Sequence, residues 1–123
     1  MGLGDVTDTT VPKISIVSAA RHGGTLTTRT FIPHRVHAAI GVLGAMSVAA
    51  GVLTPGTVAD GPVDLPGPEG GSIRLEHPTG FFDVVLELDG TGAAGTLRRS
   101  TVVRTARKLF DGLVWPRSGK ALS

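Results

Sequence analysis

Polar and apolar residues alternate along "KISIVS", residues 13–18, and again along "TLTTRTF", residues 25–31. Period-two alternation rich in β-branched residues predicts two half-buried strands. The break "RHGG" between them predicts a hairpin turn, with Gly23 and Gly24 free to take positive φ. The pattern then changes: residues 36–53 carry one histidine and no formal charge, and their apolar side chains fall on every side of a helical wheel. Length and the lack of an internal proline predict a helix over residues 37–53, ended by "TPG". Alternation returns in "SIRLEH", residues 72–77, and "FFDVVLEL", residues 81–88. These form a second strand pair around "HPTG", where Pro78 presets φ and Gly80 supplies flexibility. The stretch "TLRRSTVVRTARKLFDGLVWP" starts as a strand, turns at Asp111 and Gly112, and ends in a short strand over residues 113–115. A helix over residues 102–110 is the competing reading. "DGPVDLPGPEGG" and "DGTGAAG" are loops, residues 1–10 read as a disordered leader, residues 11–116 as one domain and residues 117–123 as a flexible tail.

A helix apolar all round must be covered all round, and the cover available here is strands. The fold class is therefore α+β, with a curled, mainly antiparallel sheet wrapped around one buried apolar helix. Small residues such as Ala38, Ala39, Gly44, Ala45 and Ala49 would let strands approach closely. On this reading Gly44→Val overpacks the core and harms folding more than Thr91→Val, which falls in a loop. Wrapping a five-turn helix takes roughly seven or eight strands at their usual spacing, and about six are visible. The missing ones are expected from a longer chain or a partner. A membrane span needs about 20 apolar residues; this run of 18 is diluted by Gly41, Gly44, Ser47 and Gly51 and sits among strands with soluble patterning. No membrane association is expected.

Composition narrows the function. With 12 Lys plus Arg against 10 Asp plus Glu, the net charge is +2, without a basic stripe, and four Phe, one Trp and no Tyr make a poor stacking surface for bases. Nucleic acid is not an expected partner. Zero cysteines removes disulfides, thiolate metal sites and a cysteine nucleophile from this chain. "MGLGDVTDTT" lacks a basic region followed by an apolar one, and Val6 stands where a myristoylation signal has Ser or Thr, so the expected compartment is the cytoplasm.

The blocks "VPKISIVS", "TRTFIPHRVHAAIGVLGAMSVAAGVLTPGTV", "IRLEHPTGFFDV" and "VVRTARKLFDGLVWP" resemble, in order and spacing, the C-terminal part of the family of 2-methylaconitate cis-trans isomerases and 4-oxalomesaconate tautomerases. The resemblance covers residues 11–116 and implies a diaminopimelate-epimerase-like fold: two similar domains, each a curled sheet around a central helix, with the active site in the cleft between them. It implies an enzyme that shifts an allylic proton in an unsaturated tricarboxylate without metal or organic cofactor. The family's general base and acid, a lysine and a cysteine, lie in its N-terminal half. This chain resembles the C-terminal half alone, so no catalytic residue is assigned to it and it is expected to be inactive without the other half. The parent epimerase carries a catalytic cysteine at the start of this helix; the matching run here is Gly41, Val42, Leu43 and Gly44, with no thiol. A two-thiol racemase mechanism is excluded, and the role that remains is substrate binding by free N–H groups at the positive end of a helix.

Several further residues are candidates for holding a carboxylate. Arg29 ends a strand before the helix, where a guanidinium could grip bidentately; a solvated strand charge is the alternative. His34 and His37 form an H-x-x-H pair that could bond substrate, relay a proton or cap the helix, and with no third ligand nearby it is not a metal site. "EHPTG" offers His77, Thr79 and Gly80 in a tight turn facing the cleft, or an ordinary hairpin turn. "RTAR" reads as structural, and "GTGAAG" has no following Lys-Ser or Lys-Thr and is no phosphate loop. Two functions stand: half of a cofactor-independent isomerase, or a non-catalytic carboxylate-binding or structural module. Either takes a small di- or tricarboxylate and pairs with an N-terminal half domain or a second copy of itself.

Overall fold

A computed structural model describes residues 2–32, 34–59, 70–89 and 96–115. Its elements are β1 (Ile14–Ala19), β2 (Leu26–Phe31), α1 (Val42–Val52), β3 (Gly70–His77), β4 (Gly80–Asp89) and β5 (Thr96–Val102). The five strands form one sheet in the order β1-β2-β3-β4-β5. All neighbours are antiparallel except β2 and β3, which run parallel and meet at Leu26↔Leu75 and Thr27↔Glu76. The connection between that parallel pair contains α1, as a parallel crossover requires. Both hairpins fall within two residues of their expected positions. Gly23 takes φ +85 in the first turn; Gly24 does not, and is needed for a different reason given below.

Alternation along the strands sorts the sheet into two faces. Leu26, Ile73, Leu75, Phe82, Val84 and Leu86 are buried on one face against Ala45, Ala49 and Val52 of α1. Those helix positions follow one another at i, i+4 and i+7, so α1 presents a single stripe. The expectation of a helix covered all round is corrected here: Leu43 is 79% exposed and Val42 42% exposed. The sheet is open and mixed, and five strands on one side cannot enclose a cylinder.

The helix is also shorter than residues 37–53. His37 N–H bonds to the Thr30 carbonyl at 2.7 Å and Ala39 N–H bonds to His37 Nδ1 at 2.9 Å, while Val36 bridges back to Phe31. These bonds hold residues 36–39 to the end of β2, so helical geometry begins only after Gly41, whose φ −70 and ψ 149 are extended. At the other end, residues 103–115 form neither the short strand expected over residues 113–115 nor the competing helix. Leu113, Val114 and Trp115 are largely exposed, and among the described residues no strand pairs with them. Residues 2–10 contain no helix or strand. The loops expected over residues 60–71 and 89–95 each reach too far at one end, since Gly70 and Gly71 open β3 and Asp89 closes β4; residues 60–69 and 90–95 and the tail at 117–123 lie outside the described residues. Among the described residues, no helix is long and apolar enough to cross a membrane.

Gly44 is not pressed by the sheet, contrary to expectation. A Cβ there would meet only Ile40 Cγ1, at an ordinary 3.8 Å. Gly44→Ala is therefore expected to raise stability by about 0.5–1 kcal/mol through helix propensity alone, and Gly44→Val to cost nothing by overpacking. A lower melting temperature for the alanine variant would show an unseen close neighbour. Thr91 lies outside the described residues.

Candidate functional site

The start of α1 opens into a groove of about 990 Å³ on the helix side of the sheet. Gly41 supplies no capping side chain, and the first helical bond runs from Ala45 N–H to the Gly41 carbonyl at 2.8 Å. The N–H groups of Val42, Leu43 and Gly44 therefore have no partner within the helix. The sequence folds this way because Gly41 follows the tethered segment at residues 36–39 and tolerates the extended conformation.

His37 lines the same groove. Its Nδ1 accepts the Ala39 N–H, so in the neutral ring the hydrogen sits on Nε2, which is then a donor. From β1 and β2 come Lys13, just before the strand, and Ser15 and Thr30, whose hydroxyls bond each other at 2.8 Å. Among the described residues, Lys13 carries the only formal charge lining the groove, and it makes no ion pair. The helix start, Lys13, His37, Ser15 and Thr30 thus line one space with largely apolar walls. Such a set suits the carboxylates of a small acid.

The structure does not bring the remaining candidates to this groove. Arg29, His77 and Gly80 line a separate pocket of about 270 Å³ beside Thr27, Glu76 and Phe81. Arg29 lies on the opposite sheet face because it is one residue out of phase with Thr28 and Thr30, and its guanidinium bonds the Thr28 carbonyl at 2.8 Å. His34 is exposed. Thr79 joins the β3–β4 turn to the approach to α1 through a 2.8 Å bond from its hydroxyl to the Ala38 carbonyl. Among the described residues, no cluster of three or more His, Asp or Glu is arranged to hold a metal ion.

Sequence reasoning missed two parts of this arrangement. Lys13 and Ser15 share the period-two face of Val17, which packs against the core, so their alternation pointed to the helix side. Glu76 gave no such signal. It alternates with Leu75 as a solvated strand charge would, yet it is 2% exposed. Its carboxylate accepts the N–H groups of Arg21, His22 and Gly24 at 2.6 to 3.1 Å and the Thr27 hydroxyl. Burial by itself raises its pKa and is the largest single influence, but the bonds from Thr27, Arg21, Gly24 and His22 together bring it down to about 2. Gly24 is required for this: a Cβ there would stand 2.6 Å from Glu76 Cγ and 2.9 Å from the Arg74 carbonyl oxygen. The neighbouring Arg74 is committed elsewhere, to Asp83 through two bonds of 2.7 and 2.9 Å.

The sequence matches the PrpF protein family over residues 1–116. This chain belongs to the PrpF family. It is 48% identical over 114 residues to the 4-oxalomesaconate tautomerase of Pseudomonas putida, covering 93% of this chain and 30% of that protein. It is also 48% identical over 115 residues to the (4E)-oxalomesaconate Delta-isomerase of a Novosphingobium species, covering 94% of this chain and 31% of the relative. The chain thus spans about 30% of the length of the curated PrpF-family relatives it matches.

Proposed function

We propose that this PrpF-family chain supplies the carboxylate-binding wall of a cofactor-independent isomerase that acts on unsaturated tricarboxylates of the oxalomesaconate type. The observation that carries the reading is the uncapped start of α1, which opens into one groove with Lys13 and His37. An allylic proton shift removes a proton from carbon and spreads the electron pair over the double bond and an adjacent carboxylate or keto group. The proton then returns at the far end of that system. Donors fixed where this negative charge develops lower the barrier without moving. Val42, Leu43 and Gly44 N–H, the Lys13 ammonium and the His37 N–H fill that role. The base and acid come from outside these residues, since Lys13 is used to hold an anion and the chain has no cysteine.

The surfaces left uncovered support a second domain alongside. Leu43 on α1 and Leu109, Phe110, Leu113 and Trp115 beyond β5 are all exposed, and these are apolar side chains that a second domain would cover. An N-terminal half arranged around a matching helix, as in the epimerase-like fold, is the partner proposed, in the cytoplasm. The alternative, a carboxylate-binding module without catalysis, differs only in whether that partner brings a base.

Calorimetric titration of the purified 123-residue chain with a tricarboxylate is expected to give millimolar binding. Lys13→Ala should weaken it about tenfold, the worth of one charge-assisted contact. The ultraviolet absorbance of a conjugated tricarboxylate is expected to stay constant with the chain alone and to change once an N-terminal half is added. Turnover by the chain alone would move the base into the groove and overturn the division of labour.

A further inference from the structure

The pocket on the helix-free face of the sheet has the makings of a second site. It is lined by Arg21 and His22 of the β1–β2 turn, by Arg29 on β2, and by His77 and Phe81 at the β3–β4 turn. Neither Arg21 nor Arg29 makes an ion pair among the described residues. Arg29 spends one N–H on the Thr28 carbonyl, which leaves most of its five donors available. The other nearby arginine, Arg74, is paired with Asp83 and lies over the Phe81 ring at 5.4 Å, without lining the pocket itself.

Among the described residues, the one acidic residue lining the pocket is Glu76, and its carboxylate oxygens accept backbone N–H groups of the turn. Those bonds fix the main chain under Arg21 and His22, so both side chains leave from anchored positions instead of from a free loop. Preorganisation of this kind reduces the ordering that binding must otherwise impose. Glu76 also places one negative charge beneath the pocket, which a single guanidinium would only neutralise. Two guanidiniums leave an excess of positive charge and present fork-shaped donors that match oxyanions.

We infer that the β1–β2 turn and strands β2 to β4 form a small oxyanion site, separate from the groove at α1, that takes a compact phosphate- or carboxylate-type dianion between Arg21 and Arg29. Glu76 is its positioning residue. The site lies across the sheet from the groove, so its occupancy does not compete with a tricarboxylate bound there.

Two-dimensional amide NMR of the full chain, titrated with inorganic phosphate and separately with malonate at constant ionic strength, tests this. Saturable shifts are expected at the amides of Arg21, His22 and Gly24, with millimolar affinity. A response to phosphate only assigns a phosphoryl ligand, and a response to malonate a carboxylate; either supports the site. Arg21→Gln and Arg29→Gln, both at exposed positions, should each weaken binding about tenfold without lowering the melting temperature. Lys13→Ala should leave these shifts in place, which separates this site from the groove. The assignment fails if no saturable shift occurs at the turn, or if the shifts persist when both arginines are replaced.

Discussion

Glu76→Gln is expected to destabilise this chain strongly, although it hardly changes the size of the side chain. The carboxylate is an acceptor alone and matches a ring of donors: three backbone N–H groups and the Thr27 hydroxyl. An amide turns one end of the side chain into a donor, so it faces N–H groups with N–H, and the buried donors of the turn lose their partner. The turn at residues 21–24 should loosen, and with it the join between β2 and β3. Because the folded-state pKa of about 2 lies below the ordinary value near 4.5, the stabilisation is fully present above about pH 4.5 and is lost as the pH falls toward 2. Asp83, held down chiefly by its hydrogen bond from Arg74, gives a slope in the same direction to both proteins. The difference between the two melting profiles therefore isolates Glu76. The two proteins should converge toward pH 2, and parallel profiles would refute the account of the carboxylate.

Ile73→Ala should be the costliest change in the apolar core. Ile73 is fully buried on β3, opposite Val84, and belongs to the cluster that meets α1 through Ala45 and Ala49. Truncating such a side chain costs about 2–5 kcal/mol, from lost burial plus the cavity that remains. The alanines opposite cannot extend to fill that cavity. Ile73→Val, which removes one methylene, should cost about 0.5–1.5 kcal/mol. Chemical denaturation of the three proteins measures both, and an alanine variant no weaker than the valine one would mean that the sheet and helix close over the gap.

Much of the fold was legible because hairpins are local. Period two and a glycine turn place β1, β2, β3 and β4 to within two residues. The helix start was misplaced because it is decided by a distant contact, the bond from His37 to Thr30, which no helical wheel contains. A short strand at residues 113–115 was expected from its apolar residues, but a strand also needs an edge to pair with. The site divided along similar lines. His37 and the run Gly41, Val42, Leu43 and Gly44 are near neighbours in sequence and converge. Arg29 is close to the helix in the chain, but its phase relative to Thr28 and Thr30 places it across the sheet. Glu76 was invisible because nothing in an alternating strand marks which charged residue will be closed over by a turn some 50 residues earlier.

The parallel pairing of β2 with β3 rests on two register positions, whereas β3 and β4 share eight. Around it lie the Thr25 N–H bond to the Arg74 carbonyl, the Thr28 hydroxyl bond to the Glu76 carbonyl and the Glu76 carboxylate itself. The sheet is in effect two antiparallel units riveted along one line, and most of the rivets come from side chains. In folding, each unit can zip from its own turn, but the line between them closes only after the whole crossover has been spanned, which carries the larger loop-closure entropy. A chain caught at that stage presents two ready-made sheet edges, and the β1–β2 unit of one molecule can then settle against the β3 edge of another.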